Sequence, residues 1–454
     1  MARRTRWSGL AGLVLALALA APAAAQNAAP TVTNPTTLAQ TVSVGGPVQL
    51  APAQAVETFQ QMTLTADTGY ETNVTGLSNG GSDWLETLAG NFAAGQNRGA
   101  LHWALGYQPS YTVYRTFRGY DRFDQAGALD LSWQLNPHWF LRLSEHAAYG
   151  RYLATPQAAQ VSGSVVALNN FVATPFARQF SQQPTVALDY IASYRWALHL
   201  GAGYLESRYF GQAPTAGPAL SDLEGVTGTA GLSYRLSRRT TLGAELDYSH
   251  MRLAGGISRV QVGSALLQLT RVLGPTAQVT LFAGPQEAQL REDLSRYLPA
   301  TVLASNPGLA RIHQNNLGWS AGGTLAVQSY HTAWNLTLLR RTTDSGGLFA
   351  GAVEADQATL GAMRRLGREW TLGGNAGFER ITPLGLRLPG GNSALFSWIA
   401  GAQMRRGLGR HWVLTANYNY VDEQSHGAVP FARIIGRQTV QLGIGYNLGR
   451  GPGG

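Results

Sequence analysis

The side chains most able to do chemistry in this sequence are nine histidines: His102, His138, His146, His199, His250, His313, His331, His411 and His426. An imidazole serves as metal ligand or general base only when partners converge on it, and no pair here has the HExxH or a comparable ligand spacing. His138, His331 and His411 stand at or beside turn signals and read as solvated positions. The chain has no cysteine, which removes thiol nucleophiles, thiolate metal sites and disulfides together. No GxSxG elbow and no P-loop occur. Gly443 and Gly445 form a GxG inside an alternating stretch with no helix after it, so a nucleotide site is not read there. Spacing leaves open a Ser/His or Asp/His constellation drawn from distant segments. The sequence is read as non-enzymatic, with no cofactor and no metal.

A different set of polar residues is better placed. In residues 185–195 the even positions are Val186, Leu188, Tyr190, Ala192 and Tyr194, and Asp189 lies on the other parity. The next segment sets Trp196, Leu198, Leu200, Ala202 and Tyr204 against His199, Gly201 and Gly203. Another sets Leu242, Ala244, Leu246 and Tyr248 against Thr241, Glu245 and Asp247. A period of two sustained over ten residues marks a β-strand with two unlike faces. The polar face collects Asp130, Arg142, Asp189, His199, Glu245, Asp247, Glu379 and Asn417, with Asn335, Asn375, Gln403 and Asn419. Turned inward, these would line a watery lumen that passes or binds polar solutes.

The strands that must position them recur from residue 58 to residue 449. Turns alternate with longer polar stretches, at 71–83, 109–125, 151–184, 211–224, 293–315, 344–354, 382–393 and 422–436. Tight turns on one rim and long loops on the other are the organisation of outer-membrane barrels. The expected fold is all-β: a transmembrane, antiparallel, up-and-down barrel of about 18 strands, with 14 or 16 the neighbouring counts. Residues 1–26 read as a secretory signal, with Arg3, Arg4 and Arg6 before an apolar stretch and small residues at 23–25. Residues 27–57 read as a flexible periplasmic tail and 450–454 as a short C-terminal tail. No other apolar run approaches the roughly 18 residues of a membrane helix.

Composition agrees. Glycine supplies 55 of 454 residues, which suits close-packed strands, and 44% hydrophobic content is too high for a disordered chain. All 34 basic residues are arginine and the net charge is +9. Removing the three signal arginines leaves 9 − 3 = +6, weak grounds for nucleic-acid binding. Ten arginines gather at the short-turn rim, among them Arg238, Arg239, Arg271, Arg405 and Arg406, where guanidinium groups suit lipid phosphates.

Aromatics fall at both ends of the apolar face. Trp196 and Tyr204, Trp370 and Phe378, and Trp412 and Tyr420 are each eight residues apart, and Trp139 and Trp334 also follow short turns. Eight residues at a tilt of roughly 40° rise about 20 Å, close to the distance between two aromatic girdles. The longest loop, 151–184, follows the fifth strand. By position it matches the loop that general porins fold into the pore. It carries Arg151 and Arg178 and no acid, which would favour anions or neutral solutes.

The last strand, with Gln441, Gly443, Tyr446 and Leu448, resembles the terminal strand that the barrel-assembly machinery recognises in bacterial outer-membrane barrels. It departs from the common form by lacking a terminal Phe and by running on through 449–454. From residue 84 to residue 448 the hairpins resemble a loosely defined group of porin-like barrels, some of which accompany polysaccharide-export genes. The resemblance implies the outer membrane of a Gram-negative bacterium, with outer-membrane lipid and the assembly machinery as partners. The preferred reading is a porin-like channel for small polar solutes or oligosaccharides. The alternatives are a barrel component of an exopolysaccharide export system and a soluble secreted carbohydrate-binding β-protein.

Overall fold

The computed structural model describes residues 59–75, 80–151, 178–210, 222–253, 256–293, 295, 311–344, 352–367, 369–384, 394–426 and 435–450. The signal and tail segments expected from the sequence lie outside these. The first strands are β1 Phe59–Glu71, β2 Asp83–Arg98, β3 Leu101–Tyr114, β4 Arg122–Gln134, β5 Trp139–Arg151 and β6 Arg178–Ile191. Then come β7 Trp196–Phe210, β8 Leu223–Arg235, β9 Thr240–Leu253, β10 Ser258–Gly274, β11 Ala277–Asp293 and β12 Arg311–Gln328. The last six are β13 Thr332–Asp344, β14 Ala352–Leu366, β15 Trp370–Pro383, β16 Ala394–Leu408, β17 Trp412–His426 and β18 Ile435–Arg450. A 3-10 turn, Arg118–Tyr120, lies between β3 and β4.

Every strand pairs antiparallel with its neighbours in sequence, and β1 closes on β18 from Gln60↔Arg450 to Glu71↔Thr439. The result is one closed, 18-stranded barrel. Closure leaves no sheet edge over the paired length, the condition for a β-structure in hydrocarbon. One rim has connections of two to four residues, with Gly99, Gly367 and Gly409 at φ of 59°, 68° and 73°. The other rim has longer connections, with one exception. Between β9 and β10 lie four residues, 254–257, fewer than the sequence pattern predicts on this side.

Strands run longer than the sequence pattern suggested, from 13 to 18 residues. Residues 109–114 continue β3 and residues 178–184 open β6, so the connection after the fifth strand is 152–177, outside the described residues. A bilayer crossing takes about ten tilted residues, so the strand ends project beyond it on the long-loop side.

For the ten or so residues nearest the short turns, the outward face is apolar and exposed. Leu200, Leu246 and Leu267 expose 54%, 62% and 72% of their surface, as expected where lipid replaces water. Aromatic pairs sit beside the short turns: Trp139 with Tyr190 (4.5 Å), Trp196 with Tyr234 (4.5 Å) and Trp412 with Tyr446 (4.9 Å). Tyr70 with Trp84 (5.5 Å) and Phe378 with Trp398 (4.4 Å) stand toward the other rim. Trp334, Trp370, Tyr204 and Tyr420 share this face by register.

Candidate functional site

The inner face follows from contacts between strands that are not neighbours. Glu71 of β1 meets Tyr114 of β3, and Asp67 of β1 meets Thr415 of β17, while residues of the opposite parity such as Leu105, Leu200 and Leu246 are exposed on the outside. Register then assigns every other residue. Asp130, Arg142, Asp189, His199, Glu245, Asp247, Glu379 and Asn417 all fall on the inward face.

The structure brings part of this set together. Asp189 Oδ1 meets His199 Nδ1 at 2.7 Å, and its other oxygen takes the Arg142 guanidinium. Thr229 Oγ1 lies 3.4 Å from His199 Nε2. Thr229 is the register partner of Asp247, which accepts from Ser264 Oγ at 3.1 Å. Ser264 in turn stands opposite Gln286. Because rows of paired residues tilt against the barrel axis, this track climbs across β5 to β11 from the short-turn end toward the long-loop end. Carboxylate, imidazole and hydroxyl occur in the order of a nucleophilic relay. The 3.4 Å contact is long for a hydrogen bond, and Arg142 already neutralises the carboxylate. The geometry suits a polar inner wall rather than an activated hydroxyl. Glu379 is fully buried on β15, Asn417 lies on β17 away from the track, and Asp130 of β4 is the register partner of Ser144 on β5. Among the described residues, no group of three or more acids or histidines is placed to hold a metal.

Toward the long-loop rim the alternation inverts without any register shift. On β7 the outward residue after Tyr204 is Glu206, and the inward one is the buried Leu205. On β10, Arg259 and Gln261 face out while Val260 and Val262 face in. Leu205, Leu223, Met251, Leu253, Val260, Val262, Ala288 and Leu290 form one buried core inside the wall, and Ala352 and Leu384 at the ends of β14 and β15 pack against it. At this height the inner face is apolar. The mouth is a local two-layered structure with a dry centre, because strand ends beyond lipid can wet their outer side and pack their inner one. At this level β12 leaves β13, and their pairing stops at Ala321↔Arg340. The side chain of Gln286 on β11 takes over the strand's role. It donates to the Thr342 carbonyl (3.1 Å) and accepts from the Thr342 N–H (2.7 Å).

The closing seam has its own clamps. Thr63 Oγ1 donates to Asn447 Oδ1 at 2.8 Å. Thr415 Oγ1 donates to Asp67 Oδ1 at 3.1 Å, a bond between β17 and β1 that passes over Gly443 of the intervening β18. A Cβ at Gly443 would collide with Asp67 Oδ1 and lie 2.9 Å from Thr415 Oγ1. We therefore expect Gly443→Ala to cost about 1–3 kcal/mol through overpacking, read as a lower urea midpoint of the refolded barrel. Gly374→Ala, whose Cβ would meet nothing nearer than 3.5 Å, is the control and should match the wild type.

At the top of the seam, Glu71 pairs with Arg437, and Tyr114 donates to Glu71 Oε2 at 3.0 Å. Arg122 Nη1 reaches the Tyr114 hydroxyl at 3.2 Å. Glu71, Tyr114 and Arg437 are buried. Beside them Asp83, at the rim above Trp84, accepts from the N–H groups of Trp84, Thr116 and Phe117 at 2.9, 2.6 and 2.8 Å. Burial pushes its carboxyl up, but these three donors outweigh that and hold it below the ordinary carboxylate value. Sequence periodicity missed Glu71, Tyr114, Arg122 and Arg437, since each sits at a strand end that reads as loop.

Arg151 and Arg178 face each other across β5 and β6 at the rim. The Arg151 guanidinium donates to the Gly119 carbonyl (2.9 Å) and lies 5.1 Å from the Tyr120 ring centroid. In the last strand, Gln441 and Gly443 face in, and Tyr446 and Leu448 face out.

A closed antiparallel barrel with an apolar exposed belt and aromatic girdles is a β-barrel of the outer-membrane class. Comparison with solved structures finds matches of low similarity. The Pseudomonas aeruginosa protein OccK2 (OpdF) aligns with a TM-score of 0.38 at 13% identity, covering 87% of this chain and 99% of its own. OpdK of the same organism gives 0.39 at 13%, covering 87% and 100%. Its siderophore receptor PirA gives 0.39 at 10%, covering 87% and 81%. No protein-family model and no curated protein matches the chain.

Proposed function

We propose that this chain is an outer-membrane channel for small polar solutes or oligosaccharides, held shut at its long-loop mouth. The observation that carries this is the change of inner-wall character along the axis. Within the apolar belt the inner side chains are Arg142, Asp189, His199, Thr229 and Asp247, groups that hold water and bind hydroxyls. Beyond the belt they are Leu205, Met251, Leu253, Val260 and Leu290. Water and polar solutes enter the first region freely and are excluded from the second. The wild-type barrel should therefore give infrequent openings in planar bilayers, with slow swelling of liposomes in oligosaccharide solutions. Complete silence from well-folded wild-type and mouth-loosened protein would remove the channel reading.

Asp189 also sets the charge of the inner wall. In Asp189→Asn the Arg142 guanidinium and His199 lose their carboxylate partner. A freed cation in a confined, water-filled passage attracts anions. The variant should shift the anion-to-cation permeability ratio upward by about twofold to fivefold, measured as reversal potential in a salt gradient. An unchanged potential would mean that open-state current does not pass this wall.

A further inference from the structure

On the outward face of the projecting wall, three arginines stand in one register row. Arg259 of β10 is the direct partner of Arg252 on β9 and of Arg291 on β11. Like charges directly opposite each other on one sheet face repel. Arg252 has Glu224 at 3.6 Å. Arg259 and Arg291 have no carboxylate within ion-pair distance among the described residues. The flanks do not compensate: Arg208 is held by Glu206, and Arg311 by Asp293 at 3.8 Å. Of these five arginines three are ion-paired, which leaves 5 − 3 = 2, Arg259 and Arg291, without a carboxylate partner among the described residues. His313 stands opposite Arg291 at the edge of the patch.

The height of this row names its partner. On β9, Arg252 lies four residues beyond Tyr248, the last exposed aromatic of the apolar belt. Four residues at a tilt of roughly 40° rise about 10 Å, which sets the guanidinium groups just above the hydrocarbon boundary. Met251, Val260 and Leu290, on the other side of the same wall, are locked in the dry core. The backbone that carries the arginines is therefore stiff, so less ordering is lost on binding. Planar guanidinium groups pair with phosphate through two parallel hydrogen bonds.

We propose that Arg252, Arg259 and Arg291 form a binding site for the phosphate groups of a phosphorylated glycolipid in the outer leaflet. The site lies on the lipid-facing side and is independent of whether the lumen conducts. It is tested on the full, refolded barrel in detergent, with binding followed by native mass spectrometry. The probes are lipid A with both phosphates, the same lipid with both removed, and inorganic phosphate alone.

The bisphosphorylated lipid should bind wild-type protein about tenfold or more tightly than the dephosphorylated one. R259Q/R291Q should abolish that preference while leaving heat-modifiable migration intact, as expected of exposed side chains. Arg259→Lys, which keeps the charge but not the paired geometry, should fall between. Equal binding of the two lipids, or an unchanged preference in R259Q/R291Q, would overturn the site. Inorganic phosphate binding as well as the intact lipid would overturn the lipid as its source.

Discussion

Leu253→Ser/Leu290→Ser is expected to turn a rarely opening barrel into a persistently conducting one. Both leucines are fully buried in the mouth core, and Leu253 and Leu290 pack within one cluster spanning β7 to β11 and β14. Truncating a buried leucine costs about 2–5 kcal/mol through lost contacts and the cavity left behind. A hydroxyl without a partner in that space adds about 1–3 kcal/mol. If the core is what holds the mouth shut, a bias of that size moves a closed-to-open ratio by more than about a hundredfold. The girdles and the β1–β18 seam lie elsewhere, so the barrel itself should survive, seen as unchanged heat-modifiable migration. Conductance that stays at the wild-type level in such a folded variant would mean that this core does not gate the passage.

The second large effect is at the seam. Arg437→Met should lower the folded fraction sharply, because it leaves the buried Glu71 carboxylate without its cation. Breaking a buried pair from one side costs about 3–5 kcal/mol. Glu71→Leu should be similarly severe, stranding Arg437. The combined variant Glu71→Leu/Arg437→Met should be milder than either alone, since no uncompensated charge remains. Urea titration of the refolded barrel measures this. Additive losses in the combined variant would show that the two residues act separately.

The parts of this molecule that the sequence exposes are those governed by one rule applied many times. Alternation over segments such as 196–204 is dictated by lipid on one side and polar lumen on the other, so strand count and inward parity could be read from it. Asp189 and His199 were both legible as inward residues, yet their contact was not. It depends on the β6–β7 register, which the turn at 192–195 sets. The mouth defeated the pattern for a physical reason. Above the belt water replaces lipid outside, so Arg208 and Arg252 take the outward positions and Leu205 and Met251 the inward ones. Read as polarity alone, that inversion looks like the end of a strand. The clamp of Glu71 and Arg437 joins residues 366 apart, and no local pattern signals a pair whose proximity exists only once the barrel has closed.

Because the chain contains no cysteine, single introduced thiols can report each position against a silent background. The decisive measurement compares two adjacent pairs in reconstituted barrels, with a membrane-impermeant thiol reagent on both sides. The pairs are Ala128→Cys and Leu129→Cys within the belt, and Val260→Cys and Gln261→Cys at the mouth. On β4, Ala128 faces in and Leu129 is 42% exposed on the outside. On β10, Val260 is buried and Gln261 faces out. This account expects labelling at 128 and 261 and protection at 129 and 260, so that the reactive face changes sides between the two heights. Rapid labelling at 129 would contradict a lipid-facing belt, and labelling at 260 as fast as at 128 would contradict a closed mouth.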